Sequence, residues 1–78
     1  MKVQTILFEN NEDRKYYEGI LEGILASYNI DTFATDMFTS KYVYYQFICT
    51  ETTMKEILNI LTKKYIKYKV AKIKIEMN

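Results

Sequence analysis

Residues 40–50 constrain the fold of this chain more than any other segment, because they contain no Gly, no Pro and no charge after Lys41. Their β-branched and aromatic side chains favour a β-strand, and nothing in the segment favours a helix. Side chains of a strand alternate between two sides, here Val43, Tyr45, Phe47 and Cys49 on one side and Tyr42, Tyr44, Gln46 and Ile48 on the other. Both sides are largely apolar, which predicts an interior strand of a sheet.

The first part of the chain predicts a strand followed by a helix. Residues 2–9 alternate in the same way and are largely apolar on both sides, so they predict a second interior strand. Asn10 and Asn11 are suited to cap a helix that runs to Tyr28, and Asn29 is suited to the left-handed backbone that ends it. The apolar stripe of this predicted helix consists of Tyr17, Ile20, Leu21, Ile24, Leu25 and Tyr28.

Three further elements complete the predicted sheet and its second helix. Residues 30–38 mix polar and apolar side chains, which suits an edge strand that forms a hairpin with residues 40–50. Residues 53–56 match a capping box and predict a helix over residues 53–67. Its apolar stripe consists of Met54, Ile57, Leu58, Leu61, Tyr65 and Tyr68. Residues 69–77 alternate between polar and apolar side chains and predict a second edge strand.

The element order is therefore strand, helix, strand, strand, helix, strand. Two right-handed crossovers in this order produce a four-stranded antiparallel sheet with both helices on one face. We expect an α+β fold, the ferredoxin-like βαββαβ sandwich with strand order 4-1-3-2, formed by residues 1–78 as a single domain. In that order the two strands that are apolar on both sides occupy the centre of the sheet.

Length and composition narrow the classes of function. A chain of 78 residues has a thin core, so a partner or very good packing must help to stabilise it. One cysteine rules out an internal disulfide, and without histidine we expect no metal. No apolar run is long enough for a membrane span and the start lacks a secretory pattern, so we expect a cytoplasmic protein with no membrane partner. Two Gly, no Pro and many Ile, Lys, Asn and Tyr are a composition common in phages and mobile elements.

Charge is distributed unevenly along the chain. Residues 1–39 carry three basic and seven acidic residues, a net charge of −4, whereas residues 40–78 carry eight and three, a net charge of +5. Such a chain can associate head to tail or present one sign of field to a partner. The densest basic run consists of Lys63, Lys64, Lys67, Lys69, Lys72 and Lys74. Helix C-termini and edge strands favour lysine, so this run is either a solvated surface or a contact for phosphate or an acidic partner.

Gly19 and Gly23 are unusual inside a predicted helix, because each lowers helix stability by about 1 kcal/mol relative to alanine. Together with Ala26 and Ser27 they form a smooth groove beside the apolar stripe. One interpretation is that another helix of the same domain approaches closely there. The other is a docking groove for a partner or a second copy.

Catalytic chemistry is hard to place in this sequence. There is no histidine to act as a base and no Gly-rich loop to hold phosphate. Cys49 is the only thiol, and its position near the end of an interior strand predicts a small buried core residue. We therefore expect no enzyme and no cofactor.

The outer side of the predicted sheet is the candidate contact surface. If Val43 and its neighbours face the helices, then Tyr42, Tyr44, Gln46 and Ile48 face outward, with Ile6 or Phe8 beside them. The apolar area of such an uncovered face is larger than the apolar patch that a small monomeric domain normally exposes. Homodimerisation through the sheet, binding of a different protein and binding of nucleic acid are the three alternatives.

Residues 41–48 partly resemble the octapeptide of the RNA recognition motif family, which stacks bases on aromatic side chains of its central strands. Tyr42, Val43, Tyr44 and Ile48 depart from that pattern, so the chain is not assigned to the family. What the resemblance implies is a possible stacking platform with Lys72 and Lys74 at its edge.

The sequence thus predicts a small non-enzymatic protein-binding domain. Its composition suits a phage or mobile-element inhibitor or modulator of a host nuclease or defence complex. The predicted partner-binding residues are Tyr42, Tyr44, Gln46, Ile48, Gly19 and Gly23. The alternative is an RNA- or single-stranded nucleic-acid-binding protein that uses the same sheet together with Lys63, Lys64, Lys67, Lys72 and Lys74.

Overall fold

The computed structural model of the chain describes residues 1–32 and 34–71. The elements are β1 (Lys2–Glu9), α1 (Arg14–Ser27), β2 (Ala34–Met37), β3 (Tyr42–Cys49), α2 (Glu51–Lys63) and β4 (Lys69–Val70). The described chain is therefore α+β, as the sequence predicted, with an open four-stranded antiparallel sheet and two helices.

β1 and β3 form the middle of the sheet. They pair in antiparallel register along their whole length, from Lys2 opposite Cys49 to Glu9 opposite Tyr42. β2 pairs with the other edge of β3, and β4 pairs with the other edge of β1, so the sheet order is β2-β3-β1-β4. The two strands with apolar side chains on both sides occupy the two interior positions.

Both helices pack on the same face of the sheet. Their apolar stripes and one side of β1 and β3 form a single buried cluster. Its members are Ile6, Phe8, Leu21, Ile24, Leu25, Val43, Tyr45, Phe47, Cys49, Met54, Ile57, Leu61 and Ile66. The sequence left open which side of β3 the helices cover, and this cluster assigns them to the side of Val43.

α1 begins later than its predicted caps. The residue before its first turn is Asp13, whose side chain makes no capping hydrogen bond. The Asn11 Oδ1 atom instead accepts a hydrogen bond of 2.9 Å from the backbone N–H of Asp13, so Asn11 shapes the turn that precedes the helix. At the other end, Asn29 has a φ of 57°, which confirms its predicted left-handed conformation.

α2 is displaced by several residues from its prediction. Thr50, not Thr53, is the N-cap: its hydroxyl accepts a hydrogen bond of 3.1 Å from the backbone N–H of Thr53. The helix then ends at Lys63 instead of continuing to residue 67. Tyr65 has a φ of 59° and is 92% exposed, so it does not continue the apolar stripe as predicted, and Ile66 enters the core instead.

The edge strands are short in the described part of the chain. β2 covers four residues within the predicted strand 30–38, of which residue 33 lies outside the described residues. β4 begins at Lys69, as predicted, and the Ala71 N–H donates to the Thr5 carbonyl at 3.2 Å. Residues 72–77 of the predicted strand lie outside the described residues. Neither described helix combines the length and the apolar character that crossing a membrane requires.

Candidate contact surface

The face of the sheet opposite the helices carries every second residue of its strands. We call it the open face, since neither described helix packs on it. Its residues are Val3, Thr5, Leu7 and Glu9 of β1, Tyr42, Tyr44, Gln46 and Ile48 of β3, Ala34 and Asp36 of β2, and Lys69 of β4. Ile6 and Phe8, which the sequence offered for this face, are wholly buried beneath the helices instead.

One end of the open face is apolar and exposed. Val3 and Ile48 are directly opposite each other in the register of β1 and β3. Their exposed fractions are 43% and 46%, although each belongs to an interior strand. Tyr42 and Tyr44 lie further along β3 on the same face and are half-buried. Three of the predicted partner-binding residues, Tyr42, Tyr44 and Ile48, therefore lie on the same face and are at least partly accessible.

The side chains at the centre of the open face are buried by their neighbours on the same face. Gln46 was predicted as a contact residue, but it is 1% exposed and its Nε2 donates a hydrogen bond of 3.1 Å to the Thr5 hydroxyl. Leu7, the next residue of β1 on this face, is 5% exposed. Gln46 is therefore already engaged within the sheet and offers almost no surface to a partner.

A small cleft lies at the other end of the open face. Its volume is about 130 Å³, and it is lined by Leu7, Glu9, Tyr42, Lys67, Tyr68 and Lys69. The Lys69 ammonium lies over the Tyr42 ring, 4.9 Å from its centre, in a cation–π contact. Interaction with the Tyr42 hydroxyl raises the pKa of Lys69, so this lysine keeps its positive charge at neutral pH.

The predicted basic residues that the structure describes are not gathered on the open face. Lys63 ends α2 and Lys64 follows it as the C-cap residue. Lys67 reaches the cleft beside Tyr42. Lys72 and Lys74 lie outside the described residues.

The glycine groove is on the helical side of the molecule. Gly19 and Gly23 belong to α1, and both are exposed. A Cβ atom added to either residue would meet nothing within 4 Å. The interpretation that another helix of this domain approaches closely at the glycines is therefore wrong. The structure does not bring these two residues together with the open face.

Sequence reasoning missed a polar cluster between α1 and β3. Arg14 Nη1 lies 3.0 Å from Glu18 Oε2 and donates to the Tyr45 hydroxyl at 3.3 Å, while that hydroxyl donates to Glu18 Oε2 at 2.7 Å. The spacing of Arg14 and Glu18 by four residues is a recognisable helix pair. Tyr45 is distant in sequence, and no local pattern points to it.

Cys49 and the acidic residues show no arrangement for chemistry in the described residues. Cys49 is buried, as predicted, and burial raises the pKa of its thiol, which favours the protonated form. No group of three Cys, Asp or Glu side chains is placed to hold a metal ion in residues 1–32 and 34–71.

No protein-family model matches this chain, and no curated protein matches it. Among solved structures, it is similar to the crystal structure of protein BT0572 from Bacteroides thetaiotaomicron, with a TM-score of 0.49 and 16% sequence identity. The alignment covers 88% of this chain and 45% of that one, so this chain spans less than half the length of the other. A likeness this slight supports no assignment of family or function.

Proposed function

We propose that this chain is a non-enzymatic protein-binding domain that makes contact through the open face of its sheet. The observation that carries the proposal is the exposed apolar pair Val3 and Ile48 on interior strands, with the half-buried Tyr44 and Tyr42 further along the same face. Apolar and tyrosine side chains are enriched in the centres of protein interfaces, where charged residues are depleted. Covering such a surface removes apolar area from water, which is the main driving force for association.

Binding of nucleic acid is the second candidate, and the cleft at Tyr42 favours it. Lys67 and Lys69 both line that cleft and would provide positive charge beside an aromatic ring. However, the Lys69 ammonium already covers the Tyr42 ring, and the Glu9 carboxylate lines the same cleft. A base that stacks on Tyr42 has to displace the lysine and tolerate the acid, so protein binding is the better supported function.

A salt titration of the captured partner distinguishes these two candidates. Affinity capture is carried out with and without nuclease treatment, and the bound material is released in steps of increasing salt. Partners held by apolar contacts resist both treatments, whereas nucleic acid is lost to nuclease and falls steeply with salt. Loss of all binding on nuclease treatment would contradict the proposal.

A pair of tyrosine variants tests the position of the contact. Tyr42→Ala combined with Tyr44→Ala should abolish binding, because both side chains lie on the open face. Tyr16→Ala is the matched control, since Tyr16 is 70% exposed on α1, away from the sheet. Circular dichroism should show both variants folded. Undiminished binding by the double variant would place the contact elsewhere.

The narrower role, inhibition or modulation of a host nuclease or defence complex in a phage or mobile element, stays a prediction supported by composition alone. The cytoplasmic compartment stays a prediction as well. Identification of the captured protein by mass spectrometry tests the first, and localisation of a tagged chain in cells tests the second.

We also propose that the fold belongs to the ferredoxin-like type. The sheet order β2-β3-β1-β4 supports this assignment, because it becomes 4-1-3-2 when it is read from the β4 edge. The placement of both helices on one face supports it as well. Nuclear Overhauser contacts between Ile6 and Val70, which are opposite each other in β1 and β4, test the least extensive pairing of that topology.

A further inference from the structure

One row of side chains crosses the open face from edge to edge with an acid at one end and a base at the other. Asp36 of β2 lies opposite Tyr44 of β3, Tyr44 lies opposite Leu7 of β1, and Leu7 lies opposite Lys69 of β4. The middle of the row is apolar or aromatic. Since the sheet order is β2-β3-β1-β4, the midline between β3 and β1 divides this row into equal halves.

The charges in this row distinguish between two ways of stacking two copies face to face. Sheets that stack face to face commonly align their strands within about 30°. A two-fold axis that runs across the strands, over this row, would place Asp36 opposite Asp36 and Lys69 opposite Lys69. An axis that runs along the strands, over the midline between β3 and β1, places Asp36 of each copy opposite Lys69 of the other.

We propose that the occupant of the open face is a second copy of this chain, related by a two-fold axis parallel to the strands. This inference rests on the proposed function and names its partner. Each interface of this kind contains two Asp36–Lys69 pairs, one at each edge, because the contact is isologous. To form its pair, each Lys69 ammonium leaves the Tyr42 ring that it covers in the single chain. Opposite charges at the edges fix the orientation and exclude the other axis.

Three further pairs of open-face residues fit the same axis, which also places Glu9 of one copy against Tyr42 of the other. It places Ile48 of one copy against Val3 of the other, and these are the exposed apolar residues of the face. It also places Tyr44 against Leu7 and Gln46 against Thr5. Because Gln46 already donates to Thr5 within its own sheet, the stacked centre leaves that amide hydrogen-bonded.

The size of the face predicts a weak dimer. An eight-residue strand is about 26 Å long and four strands span about 14 Å, which gives a footprint of at most about 360 Å² per copy, because the described edge strands are shorter. Interfaces of this size belong to weak, transient complexes. Dimerisation should therefore depend on concentration, and light scattering or sedimentation has to reach the high-micromolar range.

Charge reversal at the two edges provides the test. Asp36→Lys and Lys69→Asp should each raise the dimer dissociation constant by about ten-fold, because each replaces two attractive pairs with two repulsive ones. An equimolar mixture of the two variants should form heterodimers in excess of the statistical half, because both pairs are then complementary. Native mass spectrometry distinguishes the three dimers by mass.

Two further substitutions serve as controls for charge alone. Thr35→Lys adds a lysine to β2 on the side that faces away from the open face, and Lys64→Asp changes a lysine that follows α2. Both should leave the dimer dissociation constant unchanged. A monomeric wild-type chain at every concentration, or a statistical mixture of variant dimers, would overturn the inference.

The outcomes also distinguish failure of this inference from failure of the proposed function. A monomeric chain that still captures a different protein, and loses it with Tyr42→Ala and Tyr44→Ala, overturns the dimer but keeps the open face as a protein contact. A chain that dimerises with no response to any open-face variant overturns both.

Discussion

The Tyr45 hydroxyl donates a 2.7 Å hydrogen bond to Glu18 Oε2 and thereby links the central strand β3 to α1. The tyrosine ring itself is 1% exposed and packs against Phe8, with the ring centres 5.2 Å apart. Arg14 completes the cluster with its contact to Glu18 at 3.0 Å. The hydroxyl of the buried Tyr45 is therefore hydrogen-bonded to α1, which holds this side of β3 toward the helices. Tyr42 and Tyr44 consequently lie on the opposite side of the strand.

Tyr45→Phe should lower the free energy of unfolding by about 1–2 kcal/mol, because it removes a hydrogen bond to a charged group and keeps the buried ring. Urea denaturation followed by circular dichroism measures the loss. Tyr16→Phe is the matched control, since Tyr16 is 70% exposed and its variant should unfold as the wild type does. Equal stability of the Tyr45→Phe variant and the wild type would show that the hydroxyl contributes nothing.

The same hydroxyl predicts a specific loss of stability at alkaline pH. Burial, together with the hydrogen bond to Glu18, raises the pKa of Tyr45 to about 12, whereas an unfolded tyrosine ionises near 10. The stabilisation is fully present below pH 10 and is lost as the pH rises toward 12, because the unfolded state releases its proton first. The stability difference between wild type and Tyr45→Phe should shrink across that interval. A difference that stays constant would contradict the raised pKa.

The N-cap of α2 gives a prediction in which two neighbouring threonines serve as test and control. Thr50→Ala should destabilise the chain by about 1 kcal/mol, because it removes the side-chain oxygen that accepts from the Thr53 N–H. Thr53→Ala should cost less, because its own side chain caps no backbone group among the described hydrogen bonds. Thermal unfolding of both variants checks the order. The opposite order would favour the capping box predicted from the sequence.

The strands could be predicted from sequence because their signal is simple. β3 and β1 alternate without Gly or Pro, and apolar side chains on both sides predict interior positions in the sheet. The ends of α2 could not be predicted with the same accuracy. Thr50 and Thr53 both qualify as caps, and only the path of the chain out of β3 selects Thr50. Tyr65 continues the helical spacing, yet the helix ends before it.

The candidate contact surface could be predicted only in part for a related reason. Alternation correctly places Tyr42, Tyr44 and Ile48 on one face, but it does not reveal how much of each side chain its neighbours cover. Gln46 is buried because the register of β1 and β3 places it opposite Thr5, a relationship between residues 41 positions apart. Pairings of that range are set by the assembled sheet and leave no local pattern.

The exposed glycines of α1 predict a gain in stability on substitution. Gly19→Ala and Gly23→Ala should each raise the free energy of unfolding by about 0.5–1 kcal/mol, because alanine favours a helix and the added Cβ atom meets nothing within 4 Å. Chemical denaturation measures both variants and their combination. A variant that is stabilised yet loses a captured partner would give the groove a role in docking. Destabilisation by either substitution would instead mean that a neighbouring group occupies that space.

The buried pair at the centre of the open face provides a test of whether that centre is structural. Thr5→Val keeps the side-chain shape but leaves the Gln46 amide without its acceptor, which should cost about 1–3 kcal/mol. The double variant Thr5→Val with Gln46→Leu should recover part of this loss, because no buried polar group is then left unpaired.

Thr35→Val is the control, since Thr35 is exposed on β2 and its variant should be nearly neutral. A double-mutant cycle measures the coupling; strictly additive losses would contradict the hydrogen bond. Coupling would mean that Gln46 stabilises the sheet itself, which leaves the residues around it, chiefly Val3 and Ile48, as the accessible part of the proposed contact.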